Sequence, residues 1–206
     1  RTFSEIIDAV HGRDDEWTLQ RALGVLLRCC EAMAYAHAKG VLHRDLKPSN
    51  IMVGRFGETY VMDWGLARVI DRKDTKDIRL RALPSPDSYS LHTERRSIKE
   101  SDTGSPLLTV DGDVVGTPAY MSPEQAEGRV EELGPTTDVY SLGSMLYHLL
   151  VGHMPYVRTG QRASAHKVLR WVLDGPPQRV SELEPTIPDE LVAICECAMA
   201  REPEDR

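Results

Sequence analysis

The chain has 206 residues, 41% apolar and 28% charged, with a net charge of −7, the balance of a globular protein with enough chain for one well-buried domain or most of a larger one. The acidic surplus argues against nucleic acid as the main partner, since a binding face would need clustered Lys and Arg. The longest largely apolar run, around Met145 to Val151, falls far short of the roughly 20 residues that span a bilayer, so no membrane segment is expected within the chain.

Thr2-Phe3-Ser4-Glu5 has the form of a capping box, a hydroxyl followed three residues later by a Glu. It predicts a short helix to about Val10 that buries Phe3, Ile6, Ile7 and Val10. His11 to Glu16 is polar and reads as a loop. Thr18 caps a second helix in which Leu19, Ala22, Leu23, Leu26, Leu27, Cys30, Met33, Ala34 and His37 recur at helical spacing, and Gly40 is the expected residue just past its end. Met33, Tyr35 and His37 read as core or surface residues rather than ligands.

Ile51-Met52-Val53 and Thr59-Tyr60-Val61-Met62 are β-type runs joined by Gly54-Arg55-Phe56-Gly57-Glu58, a hairpin pattern. From Leu66 to Val115 no helical or strand period survives. Charges alternate, and Pro and Ser accumulate in Leu83-Pro84-Ser85-Pro86-Asp87-Ser88. Residues 71–106 read as a disordered insertion, which a fold can carry at about 0.6 kcal/mol per doubling of loop length.

Asp138 to Val151 is apolar nearly all round, the pattern of a central buried helix, ended by Gly152 and Pro155. A further helix is expected from about Ala163 to Leu173, stopped by Asp174-Gly175-Pro176-Pro177. The last opens at Pro188-Asp189-Glu190, with proline and acids in its first turn, and is expected to bury Leu191, Ile194, Cys195 and Ala198. The four cysteines, Cys29, Cys30, Cys195 and Cys197, lack a second pair at zinc-site spacing and read as reduced thiols in a reducing, cytoplasmic compartment. Residue 1 is Arg rather than Met, so a longer parent is expected, and targeting or membrane anchoring outside the chain stays open.

The chemistry concentrates in His43-Arg44-Asp45-Leu46-Lys47-Pro48-Ser49-Asn50. Asp45 supplies a carboxylate able to accept or orient a hydroxyl proton, Lys47 an ammonium for phosphate oxygens, and Asn50 an amide oxygen for Mg²⁺; together they suit phosphoryl transfer. The run is similar to the catalytic loop of protein kinases. Asp63-Trp64-Gly65, then Gly116-Thr117-Pro118-Ala119-Tyr120-Met121-Ser122-Pro123-Glu124, then Asp138-Val139-Tyr140-Ser141-Leu142-Gly143 follow. They resemble, in that family's order, its metal-binding motif, the end of its activation segment and the start of its central helix. Four matches in sequence make chance negligible. The chain resembles the C-terminal lobe of a bacterial-type Ser/Thr protein kinase.

The resemblance implies a mainly α fold, the C-terminal lobe of the protein kinase-like fold with short β-hairpins at the cleft, and a partial kinase domain over residues 1–206. It implies ATP and Mg²⁺ as cofactors and proteins with Ser/Thr hydroxyls as substrates. Position by position, Asp45 matches the catalytic base and Lys47 the residue that steadies the transferring phosphate. Asn50 and Asp63 match the Mg²⁺ ligands, and Met52 the residue beneath the adenine ring. Thr117 matches the hydroxyl tying the activation segment to Asp45 and Lys47. Asp138 matches a buried carboxylate holding catalytic-loop N–H groups, and Glu124 an acid that pairs with an arginine where Arg206 stands. Arg44 matches the counter-charge for a phosphorylated activation segment, with Thr109 the best-placed acceptor and Asp111 or Asp113 the acids that could replace its phosphate.

Several features depart from the family. Trp64 stands where most kinases have Phe, and Ser122 where Ala is usual. Ser49 and His148 occupy positions at which arginine-directed kinases carry acids, so no strong preference for basic substrates is expected. No Gly-rich phosphate loop, ATP-clamping lysine or partner glutamate is present; these belong to the N-lobe, and the chain alone is expected to be inactive without it. A pseudokinase scaffold binding partners without catalysis is the alternative reading, although Asp45, Asn50 and Asp63 are all intact. A small-molecule phosphotransferase is a third, disfavoured by the segment from Gly116 to Glu124.

Overall fold

The computed structural model describes residues 1–12, 16–70, 118–157 and 163–206. The insertion expected over 71–106, together with Thr109, Asp111, Asp113 and Thr117, lies outside these residues.

Helix α1 (Phe3–His11) begins on its capping box: Thr2 Oγ1 accepts from the Glu5 N–H, and Glu5 Oε2 accepts from the Thr2 N–H. Phe3, Ile6 and Ile7 are fully buried, while Val10 packs only at the margin. Helix α2 (Leu19–Ala38) is capped by Thr18, whose hydroxyl accepts from the Arg21 N–H. At about 1.5 Å per residue its 20 residues span about 30 Å. Its buried stripe is Ala22, Val25, Leu26, Cys29, Met33 and Ala36, rotated from the one expected: Leu27 is 61% exposed and Cys30 only partly covered. Leu26 and Leu27 stand on opposite sides of the boundary, and the buried stripe runs through Val25, Cys29 and Ala36.

Strand β1 (Val41–Leu42) follows Gly40 directly and leads into the His43–Asn50 loop, which closes in a 3₁₀ turn over Pro48–Asn50. Strands β2 (Ile51–Val53) and β3 (Thr59–Val61) form the expected hairpin, with Ile51 opposite Val61 and Met52 opposite Tyr60. Ile51 and Val53 face the core while Met52 and Tyr60 face outward. A 3₁₀ turn over Trp64–Leu66 leads to β4 (Arg68–Val69), which pairs antiparallel with β1. This second pair is not a hairpin, and it corrects the reading of the chain after Leu66 as patternless. Two residues are too few to show a period, and the pairing partners lie 26 and 28 positions upstream (Leu42↔Arg68 and Val41↔Val69). It ties the entry of one loop to the exit of the other.

Helix α3 (Pro123–Ala126) is a single short turn capped by Ser122. Helix α4 (Pro135–Val151) is the axis of the fold, packed by α2 and by α7 (Asp189–Ala198). Tyr140, Met145 and Leu149 are among its fully buried residues. Gly143 permits the close approach of α7, since a Cβ there would lie 2.7 Å from Ala198 Cβ and 2.9 Å from Met199 Cγ. Gly152, at φ +78°, ends the helix in the left-handed conformation that glycine adopts without strain. Helices α5 (Ala165–Asp174) and α6 (Val180–Leu183) follow. On α7 Cys195 is buried, whereas Ile194, expected inside, is 58% exposed. Successive residues on a helix point about 100° apart, and here Cys195 takes the inward direction while Ile194 is turned out. No described helix is long and apolar enough to cross a membrane.

Candidate active site

The site is built on one carboxylate. Asp138, in the first turn of α4 and 0% exposed, accepts from two consecutive loop amides, His43 N–H at 2.9 Å and Arg44 N–H at 2.8 Å. Its Oδ2 also meets His37 Nε2 at 2.8 Å. The central helix thereby fixes the loop backbone from below, and the helix N-terminus favours the negative charge it uses.

His43, fully buried, continues the chain of contacts. Its Nδ1 accepts from the Asp45 N–H at 3.2 Å and its Nε2 meets the Met62 carbonyl at 2.9 Å. An acceptor at one ring nitrogen and a donor at the other define a neutral imidazole protonated on Nε2. The Met62 N–H donates in turn to the Asn50 carbonyl at 2.8 Å. Met62 is thus held at both its N–H and its carbonyl, and Asp63 follows immediately, with φ +63° and ψ +63°. The Trp64 and His43 rings pack in an edge-type contact with centroids 4.7 Å apart, and the Trp64 indole N–H donates to the Val61 carbonyl.

Above this frame Asp45, Lys47 and Asn50 meet. Lys47 Nζ lies 2.7 Å from Asp45 Oδ2. Asn50 Nδ2 donates to the Asp45 carbonyl at 2.8 Å and to Asp45 Oδ2 at 3.2 Å. One carboxylate oxygen is anchored twice, while Oδ1 accepts no hydrogen bond among the described residues. The Asn50 amide nitrogen is likewise engaged, and its oxygen accepts none among them. Among the described residues, two oxygen atoms, one anionic and one neutral, therefore accept no hydrogen bond.

Arg44 adopts φ +68°, a conformation that costs an L-residue about 1–2 kcal/mol. Its Nε donates to the Leu66 carbonyl at 2.9 Å, joining the loop to the segment after Asp63. Met52 presents its side chain on the outer face of β2, with Tyr60 beside it. Thr117 and Thr109 fall outside the described residues.

Glu124 and Arg206 lie apart from this cluster, both side chains fully buried, joined by Nη1–Oε1 at 2.7 Å and Nη2–Oε2 at 2.8 Å. Burial pushes the Glu124 carboxyl up, but the Arg206 hydrogen bonds, aided by its backbone and by the charge of Arg206, outweigh it and hold the group below its ordinary value. His148 is pushed down to about 4, first by burial and then by His11 and His153. Its Nδ1 meets the Tyr120 hydroxyl at 2.7 Å.

The sequence assigns no separate part to His37, His43 or Gln125. His37 was legible only as a core or surface helical residue, and its partner Asp138 is 101 positions away. His43 carried a signal, as the residue opening the loop. Gln125 carried none; its amide donates to the Arg44 carbonyl at 2.8 Å.

A family model described as "Protein kinase domain" matches residues 5–206. The serine/threonine-protein kinase PknD of Protochlamydia amoebophila is 46% identical over 134 residues, covering 65% of this chain and 12% of that protein. PknD of Chlamydia trachomatis is 35% identical over 94% of the chain and 19% of its own length. Serine/threonine-protein kinase PknB of Mycolicibacterium smegmatis is 32% identical over 97% of the chain and 26% of its own. The chain thus spans at most about a quarter of these relatives. With a family match over nearly its whole length, and with relatives above 30% identity that cover almost all of it, the chain belongs to the protein kinase domain family, among the bacterial serine/threonine kinases.

Proposed function

We propose that this chain is the catalytic half of a protein serine/threonine kinase that transfers the γ-phosphoryl group of ATP to protein hydroxyls. The observation that carries the reading is the Asp45 carboxylate, anchored through Oδ2 by Lys47 and Asn50, with Oδ1 accepting no hydrogen bond among the described residues. An incoming Ser or Thr hydroxyl donates to Oδ1, which orients its oxygen toward the phosphorus and takes the proton as the new P–O bond forms. Lys47 carries a charge that offsets the phosphoryl oxygens, and its short contact with Asp45 keeps both side chains in one orientation. The leaving group is ADP, and positioning plus electrostatics supply the catalysis.

Asn50 Oδ1 and the exposed carboxylate of Asp63 suit Mg²⁺, a hard cation that takes few protein oxygens and completes its shell from phosphate and water. The donor set fits, and the ion would neutralise phosphate charge. Met52 offers an apolar outer face for the nucleotide base. The N-terminal lobe, with its phosphate loop and lysine, would come from the parent chain, and Thr109 with Arg44 would supply regulation.

The test uses the full-length parent. Radiolabelled ATP and a protein substrate should yield phosphoserine and phosphothreonine, dependent on Mg²⁺, and Asp63→Ala should abolish the labelling. Undiminished labelling by Asp63→Ala would remove the proposed metal ligand and the reading with it.

A further inference from the structure

The backbone of Arg44 and Asp45, which carries the catalytic carboxylate, is held at three points. The Arg44 N–H donates to Asp138, the Asp45 N–H donates to His43, and the Arg44 carbonyl accepts from Gln125. The first two partners belong to the loop and the central helix. Gln125 belongs to α3, 81 positions downstream, at the end of the segment that opens with Pro118.

The orientation of the Gln125 amide follows from its neighbours. The Ser122 N–H, which can only donate, lies 3.3 Å from Oε1, and the Ser122 hydroxyl lies 3.2 Å from the same oxygen. The Arg44 carbonyl, which can only accept, must then face Nε2. Ser122 is fully buried and Gln125 nearly so, leaving little room for water to replace the bond. Arg44 sits at φ +68°, a conformation that persists only where its surroundings enforce it. Rotation of this peptide would swing the Arg44 carbonyl away from Gln125 and the Asp45 N–H away from His43 together.

We propose that Gln125, aimed by Ser122, is a positioning residue for Asp45: it clamps the Arg44 carbonyl and makes the geometry of the catalytic carboxylate depend on the seating of α3. The proposal rests on the kinase reading and adds a residue to it. It also gives Ser122 a purpose. The hydroxyl caps α3 by accepting from the Gln125 N–H at 3.4 Å and steadies the Gln125 side chain, neither of which an alanine could do.

The experiment uses the full-length protein. Gln125→Glu keeps the shape, but its carboxylate cannot donate to the Arg44 carbonyl. At neutral pH kcat should fall about tenfold, the scale of one buried hydrogen bond lost, with KM for ATP within about twofold. Relative to the parent, kcat should recover as falling pH restores a proton the Glu can donate. Ser122→Ala should lower kcat in the same sense, and Ser122→Thr should restore most of it. Independently of activity, the Gln125 side-chain amide protons, followed by ¹⁵N NMR, should exchange slowly in the parent and faster in Ser122→Ala. Parental kcat in Gln125→Glu, or fast exchange in the parent, overturns the clamp. Slow exchange in a parent that transfers no phosphate would keep the clamp and reject the kinase reading.

Discussion

Replacing Arg206 with alanine severs the most heavily bonded side chain among the described residues at the base of the fold. Its guanidinium donates to both oxygens of Glu124, to the carbonyls of Thr136, Ala200 and Arg201, and lies over the Tyr140 ring at 5.0 Å. Both members of the ion pair are 0% exposed. After the substitution Glu124 keeps the Thr137 hydroxyl at 3.0 Å, and its charge stays buried without a hydrogen-bonded counter-ion among the described residues. Losing one side of such a pair costs about 3–5 kcal/mol. For a domain of this size each kcal/mol moves Tm by roughly 2–4 °C, so a drop of about 6–20 °C is expected. The pH dependence has a definite sign. The folded carboxyl sits below its ordinary value of 4.5, so its contribution is complete above that value and lost as pH falls through the folded one. The gap between parent and variant should therefore be full at pH 7 and narrow as the pH falls below 4.5. Arg206→Lys should recover only part of the loss, because an ammonium cannot reproduce the two-pronged contact. Thermal melts of the three proteins across pH provide the assay. A Tm change under about 2 °C for Arg206→Ala at pH 7 would refute the reasoning.

Asp138→Asn should lower both stability and kcat, since its amide can accept from only one side; retention of parental kcat would show that the loop does not need this anchor. His148, neutral at pH 7 and paired with Tyr120, offers no charge to a guanidinium, so a peptide array should show no strong preference for Arg upstream of the phosphoacceptor. An arginine-dominated profile would contradict it. Thr109 should be phosphorylated in the active full-length protein and Thr109→Ala should lower activity, checked by mass spectrometry with parallel assays. An unmodified Thr109 with a fully active alanine variant, beside an impaired Asp111→Ala, would assign the contact with Arg44 to the acid instead.

The helices were legible where composition and caps agree. Thr2 with Glu5, Thr18, Gly40, Gly152 and the apolar run through Leu149 and Leu150 each mark an element through local chemistry. The face of α2 was not, because leucines occupy both its sides and only the approach of α4 decides which is covered. The pairing of β1 with β4 is two residues long and wholly non-local, so no period could reveal it. In the site, residue types within six positions pointed to phosphoryl transfer, whereas the frame around them did not show. His37 meets Asp138 across 101 positions, and Gln125 meets Arg44 across 81. Such partners have ordinary helical surroundings in sequence and acquire their part only when α4 and α3 are packed against the loop.

The most direct measurement of the central claim is the rate of phosphoryl transfer by the full-length parent against its Asp45→Ala variant, at saturating ATP and Mg²⁺ with matched folded fractions. Losing the group that accepts and orients the hydroxyl proton should lower the rate by about 10²–10⁴-fold, while nucleotide binding is retained. Transfer at the parental rate by Asp45→Ala would contradict the assignment of this loop as the catalytic centre.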